Sequence, residues 1–223
     1  MLQIPSKIKS AYNAGNILTL NQKSQCLASP VAPAKHSTPQ LRNLIQKGQK
    51  VRIGMVGQLP KLRVALGWNV SSLQCDLDLS AYLLDASGKV PGDDWFVFYG
   101  QTSSPDKSVT LHINDPSSDR EYADIDFFRL DPSIRKIVFV LTINEALERN
   151  LNFSMVQDAY IRILNPDSGQ EIYSFMLTDY YDNVTSMMLG EIYLHNTEWK
   201  FNAIGSGYQG GLAALCNSYG IAV

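Results

Sequence analysis

The stretch CDLDLSAYLL (residues 75–84) alternates in chemical character with a period of two. In a strand, Cys75, Leu77, Leu79, Ala81 and Leu83 share one face, and Asp76, Asp78, Ser80 and Tyr82 the other. Residues two apart on one face lie roughly 6.5–7 Å apart at Cα. Carboxylates that close repel unless water, a basic group or a cation lies between them. The stretch therefore reads as a strand and raises the question of what separates its acids.

Working outward, KVRIGMV and LRVALGW are short β-rich runs upstream. Downstream, a turn at residues 85–88 leads to WFVFYG, a fully apolar strand bounded by PGDD and TSSPDKS. SVTLHI, YADIDFFRL, KIVFVLTI, AYIRIL, EIYSFML, MMLGEIYLH and EWKFNAI follow, for about eleven strands with turn signals about every ten residues. That spacing predicts an antiparallel sandwich or barrel rather than a βαβ protein. EALERNLNFSMVQ carries helix formers and predicts a short helix. GLAALCNSYG predicts a C-terminal helix stopped at Gly220. Trp68, Phe98, Val138, Val140 and Trp199 are expected in the core.

The 223 residues, 45% hydrophobic and 18% charged, suit a globular chain with a sizeable core. Net charge is -2, which offers no global attraction to nucleic acid. Cys26, Cys75 and Cys216 are widely spaced with no CxxC pair, which argues against zinc; Cys75 reads as a small core residue. No stretch approaches the length of a membrane-spanning helix, and the N-terminal residues lack a secretory pattern, so a cytoplasmic protein is expected. Residues 1–40, with the linker-like ASPVAPAKHSTPQ, read as a weakly ordered extension with a short helix near residues 8–14; residues 41–223 read as the folded domain.

His36, His112 and His195 have no nucleophile elbow near them, and GSGYQGG suits a chain crossover better than a phosphate loop. The acids are more informative. Besides Asp76 and Asp78 there are Asp93 and Asp94, and HINDPSSDREYADID supplies Asn114, Asp115, Asp119, Glu121, Asp124 and Asp126. Hard oxygen ligands crowded into loops suit calcium, which takes six to eight oxygens, although no EF-hand spacing is present. Solvated loop acids account for the same residues.

LRNLIQKGQKVRI, LRVALGWN, CDLDLSAYLLDASGKV, DDWFVFYG, SPDKSVTLH, KIVFVLTINEA, NFSMVQDAYIRI, MMLGEIYLHNTEWKFNAIGSGYQGGLAAL and YGIAV follow one another in order. Together they resemble the TerD family of tellurium-resistance and general stress proteins, from about residue 41 onward. The resemblance implies an all-β, two-sheet antiparallel β-sandwich with short helices that binds calcium in the bacterial cytoplasm. It also implies a place among other Ter-type stress proteins, at the inner face of the membrane.

Carried over by resemblance, the family's acidic pair falls on Asp76 and Asp78, its loop aspartate on Asp115, and its closing acids on Asp119 and Glu121. The expected ligands are Asp76, Asp78, Asp115 and Asp119, with Asn114, Glu121 and the neutral Asn69 beside them. The chain departs from the family at Asn69, where an aspartate is usual. FYGQ replaces FYNN, and the acidic loop is shortened to NDPSSDRE with Pro116 in place of an asparagine. Each change removes an oxygen or a flexible backbone position, which implies fewer ions or weaker binding. The leading functional expectation is a non-enzymatic, calcium-linked binding module of stress resistance. The alternatives are a calcium-independent interaction scaffold and a tellurite-reducing enzyme using Cys75 or Cys216.

Overall fold

The computed structural model describes residues 37–71, 75–113 and 119–222. Most of the expected N-terminal extension, including the helix near residues 8–14, lies outside the described residues. So do Asn114 and Asp115.

Among the described residues eleven strands run in order: β1 (Lys50–Met55), β2 (Lys61–Val70), β3 (Leu77–Leu84), β4 (Phe96–Val97), β5 (Val109–His112), β6 (Glu121–Asp126), β7 (Lys136–Ile143), β8 (Val156–Leu164), β9 (Glu171–Met176), β10 (Ser186–His195) and β11 (Glu198–Tyr208). One α-helix among the described residues, α1 (Gly211–Ser218), follows. The strands form a six-stranded sheet, β1-β11-β10-β7-β3-β4, and a five-stranded sheet, β5-β6-β2-β8-β9. All neighbouring strands are antiparallel, as expected of a sandwich.

The alternation of β3 is realised. Leu77, Leu79, Ala81 and Leu83 enter the core between the sheets, beside Cys75. Leu62, Val64, Leu66 and Trp68 of β2 meet them from the other sheet. The outer face of the six-stranded sheet departs from the polar expectation. Ser80 and Tyr82 are buried there, not solvated. A second core of Tyr82, Leu84, Phe96, Phe98, Val138 and Val140 lies under Leu215, Cys216 and Ile221. Tyr82 stacks on Phe96 with ring centroids 4.5 Å apart, and its hydroxyl meets Cys216 Sγ at 3.5 Å. This explains why β7 is apolar on both faces: Ile137, Phe139 and Leu141 face the first core, Val138 and Val140 the second. Trp68 and Trp199 are buried as well, so the five expected core residues are all inside. Helix α1 ends as expected, with Gly220 at φ 90° and Ile221 N–H donating to the Cys216 carbonyl at 2.9 Å.

The helix expected over EALERNLNFSMVQ does not form. The segment makes turns and one 3-10 turn, Phe153–Met155. Glu145 and Asn150 take positive φ, 49° and 53°, which a helix cannot accommodate. Burial of Ala146, Leu151 and Phe153 across the end of the sandwich outweighs helix propensity.

Candidate functional site

The acids gather at the end of the sandwich where β3 and β6 begin and β2 and β7 finish. Asp76 directly precedes β3, and Asp78 is its second residue. Glu121 opens β6 in the other sheet. β4 covers β3 only at Ala81 and Tyr82, which leaves the start of β3 without a neighbour on that side. Glu121 fills the gap: its Oε2 accepts from the Leu79 backbone N–H at 2.8 Å, joining the sheets through one carboxylate. The Asp76 carbonyl accepts from the Asn144 N–H at 2.8 Å, which fixes the start of β3 against the end of β7.

The three carboxylates feel one another. Burial pushes Asp78 up to about 7, and the charge on Asp76 adds to the shift. Burial pushes Glu121 up to about 8; the Leu79 N–H opposes this, Asp78 and Asp76 reinforce it, and Arg120 opposes it. Asp76 is also raised by burial, against Arg149 and Arg120. It is the most exposed of the three, so water screens its shift most. Arg120 is held aside. Its Nε donates to the Trp68 carbonyl at 2.6 Å, and its guanidinium lies over the Trp68 ring at 5.5 Å.

A cavity of about 10 Å³ opens beside Asp78, lined by Ser80, Phe98, Tyr99, Thr142, Asn144 and Leu212. The buried Asn144 Oδ1 has no hydrogen-bond partner among the described residues. Burial, with the charge of Asp78, pushes the Tyr99 hydroxyl up to about 12. Among the described residues, no three His, Cys, Asp or Glu side chains are gathered closely enough to hold a metal by themselves.

The other expected ligands are directed elsewhere. Asp119 is buried, and its Oδ1 accepts from Tyr160 Oη at 3.0 Å and from Arg162 Nε at 3.1 Å. Its Oδ2 accepts from Arg162 Nη2 at 2.5 Å. Asn69 donates from Nδ2 to Asp158 Oδ2 at 3.1 Å. Thus the structure brings Asp76, Asp78 and Glu121 together and places Asp119 and Asn69 in separate networks. Asn144 was not anticipated. Its only signal is a polar residue directly after an apolar strand, and the helical reading of the next residues obscured it. The glycines of GSGYQGG serve packing: a Cβ on Gly207 would strike Val184, and one on Gly205 would crowd Phe175.

Residues 42–219 match the family described as the TerD domain. The chain is 40% identical over 186 residues to Tellurium resistance protein TerD of Serratia marcescens, covering 79% of this chain and 96% of that protein. It is 39% identical over 189 residues to General stress protein 16U of Bacillus subtilis (strain 168), covering 80% and 97%. The crystal structure of a homologue of telluride resistance protein (TerD) from Streptomyces coelicolor A3(2) shares the fold, with a TM-score of 0.52 and 17% identity over 71% of this chain and 95% of that one. No helix among the described residues is long and apolar enough to cross a membrane.

Proposed function

The chain belongs to the TerD family, and from that premise we propose that it is a non-enzymatic, calcium-linked binding module of stress and tellurium resistance. The relatives named for tellurium resistance and general stress supply the biological setting. The observation that carries the cation reading is the buried, unpartnered Asn144 Oδ1 beside Asp78, whose carboxyl burial and Asp76 raise even though Arg120 and Arg149 partly offset the charge of the cluster. A buried oxygen without a donor is costly, and a hard cation satisfies it together with its acidic neighbours.

In this reading the ion draws in donors that do not by themselves form a metal-holding group among the described residues. Asp76, Asp78 and Glu121 would hold it by charge, and Asn144 would add a neutral oxygen. Asn114 and Asp115, outside the described residues, would complete the six to eight oxygens that calcium takes. Bound there, the ion supplies positive charge that screens the acids and joins the start of β3 to the loop before β6. Leu79 N–H keeps Glu121 oriented, and Arg162 with Tyr160 keeps Asp119 out of the set. The ordered end would then be the surface offered to other stress proteins at the inner face of the membrane. The setting is cytoplasmic, without nucleic acid.

The test is thermal unfolding in chelator and in calcium. A dissociation constant of about 10⁻⁶ to 10⁻³ M is expected, and calcium at a hundred times that value should stabilise the fold by about 2.7 kcal/mol. One observation favours a second reading, a calcium-independent scaffold: no three acids are closely gathered among the described residues. An unchanged melting temperature in millimolar calcium would select it.

A further inference from the structure

The outer face of the five-stranded sheet carries a separate cleft of about 430 Å³, within the range of small-molecule sites. Lys61, Arg63, Lys107 and Arg129 line it, with Asp124, Asp126 and Asp167. Two of these acids are already engaged. Asp124 takes the Arg63 guanidinium through two hydrogen bonds, 2.8 and 2.9 Å. Asp126 faces Arg129 at 3.6 Å and accepts from the Phe128 N–H at 3.1 Å. Lys61 and Lys107 make no ion pair among the described residues.

Lys61, the first residue of β2, and Lys107, in the turn before β5, line the same cleft. Lys61 lies opposite Asp126 in the β2–β6 register, and Asp126 N–H donates to the carbonyl of Ser108, next to Lys107. The wall that carries Lys107 is built, not loose. Asp106 Oδ1 accepts from Ser104 Oγ (2.6 Å), Ser108 N (2.9 Å) and Ser108 Oγ (2.7 Å), and Oδ2 accepts from Asp131 N (2.9 Å). Burial pushes the Asp106 carboxyl up, but these donors overcome it and hold the group below its ordinary range. The knot fixes Lys107 at φ 60°, a left-handed conformation that glycine takes without strain and lysine does not. Strain of this kind persists where the surroundings over-determine it. Arg63 is rigid too, lying over the Tyr122 ring at 3.9 Å while His112 stacks on that ring at 4.4 Å.

We propose that this cleft binds a phosphate group, bridged by Lys61 and Lys107, with Arg129 at the rim and Thr110 within it. A single carboxylate offers one charge to two ammonium groups, whereas a phosphate dianion matches both. The phosphate comes either from a soluble phosphorylated molecule or from a lipid headgroup. Phe128, 66% exposed next to Arg129, separates the two sources, since only a lipid surface would cover it.

The experiment uses the full chain in chelator, keeping calcium out of the reading. Inorganic pyrophosphate is titrated by calorimetry, and vesicles of phosphatidic acid in phosphatidylcholine are tested by flotation against phosphatidylcholine alone. Saturable binding to either probe is expected, weakened about fivefold by Lys61→Gln and about fivefold by Lys107→Gly. Lys107→Gly should at the same time raise the melting temperature, because the strained φ is relieved, which separates lost binding from lost folding. Flotation lost in Phe128→Ser identifies the lipid source; pyrophosphate binding without flotation identifies the soluble one. The proposal is overturned if neither probe saturates, or if binding survives both lysine changes.

Discussion

Asp119 and Glu121 stand two residues apart and meet opposite fates. Asp119 turns to the outer face of the five-stranded sheet, where Tyr160 and Arg162 take both its oxygens. Glu121 turns between the sheets, holds one backbone N–H, and otherwise faces Asp76 and Asp78. The outer network is paired by charge, although Glu171 Oε2 has the Arg162 guanidinium near it and no hydrogen bond among the described residues. Arg162 also faces the buried Glu171 at 3.8 Å, and Glu171 accepts from the Arg42 and Asn43 N–H groups at 2.8 Å each. The chain's entry to the domain is thereby tied to the loop before β6. The inner cluster is more open: three acids, an amide oxygen without a donor, Arg120 turned toward Trp68, and Arg149 acting on Asp76 through charge. The difference teaches that an acid's residue type says little about its role. The partner its backbone position delivers decides between a structural staple and a site that invites a cation.

The largest expected effect comes from opening the charge-paired network. Arg162→Ala leaves two buried carboxylates without their guanidinium and should cost about 3–5 kcal/mol, read as a lowered urea midpoint. Asp119→Asn should cost less and keep the full calcium increment. If the increment vanished with Asp119→Asn, the division between the two regions would be wrong.

A smaller effect tests the open cluster through pH. The folded chain holds the Asp78 proton to about pH 7, whereas an ordinary aspartate releases it near 3.8. In chelator this contribution to stability is fully present below about pH 4 and is lost as pH rises through 7. Asp78→Asn should therefore match wild type near pH 4 and exceed it at pH 8 by about 1–2 kcal/mol, after allowance for solvent screening. Melting temperatures of both proteins from pH 4 to 8 decide the matter, and a constant difference across that range would refute it.

The smallest effect is that of Glu121→Gln. The amide oxygen still accepts from Leu79 N–H, so stability in chelator at pH 7 should change by less than about 1 kcal/mol. The calcium-induced rise in melting temperature should shrink. A large loss in chelator with the rise intact would make Glu121 a structural staple like Asp119.

Much of the architecture was legible in the residues. Period-two alternation in β2 and β3 assigned the faces that meet in the main core, because a strand leaves a side chain only two directions. The apolar runs of β4 and β7 marked strands buried on both faces, and Gly220 marked the end of α1. The pairing of Asp76 with Asp78 was also legible, since it is local. The resemblance added Asp119 to that pair and set Glu121 beside it.

Only the tertiary structure separated those two acids, because Arg162 and Tyr160 reach Asp119 from about forty positions away along the chain. The same holds for Asn144, whose buried oxygen acquires meaning only when β7 ends beside Asp78. It holds for residues 144–155, where helix propensity yielded to burial of Leu151 and Phe153. It also holds for the outer side of β3, which became a core because α1 lies on it. What the sequence determined by itself was what near neighbours settle: which positions face the same way and where a strand or helix stops. Which polar groups are neutralised, which are left open, and which face is covered depend on contacts between distant segments, and those exist only once the sheets have paired.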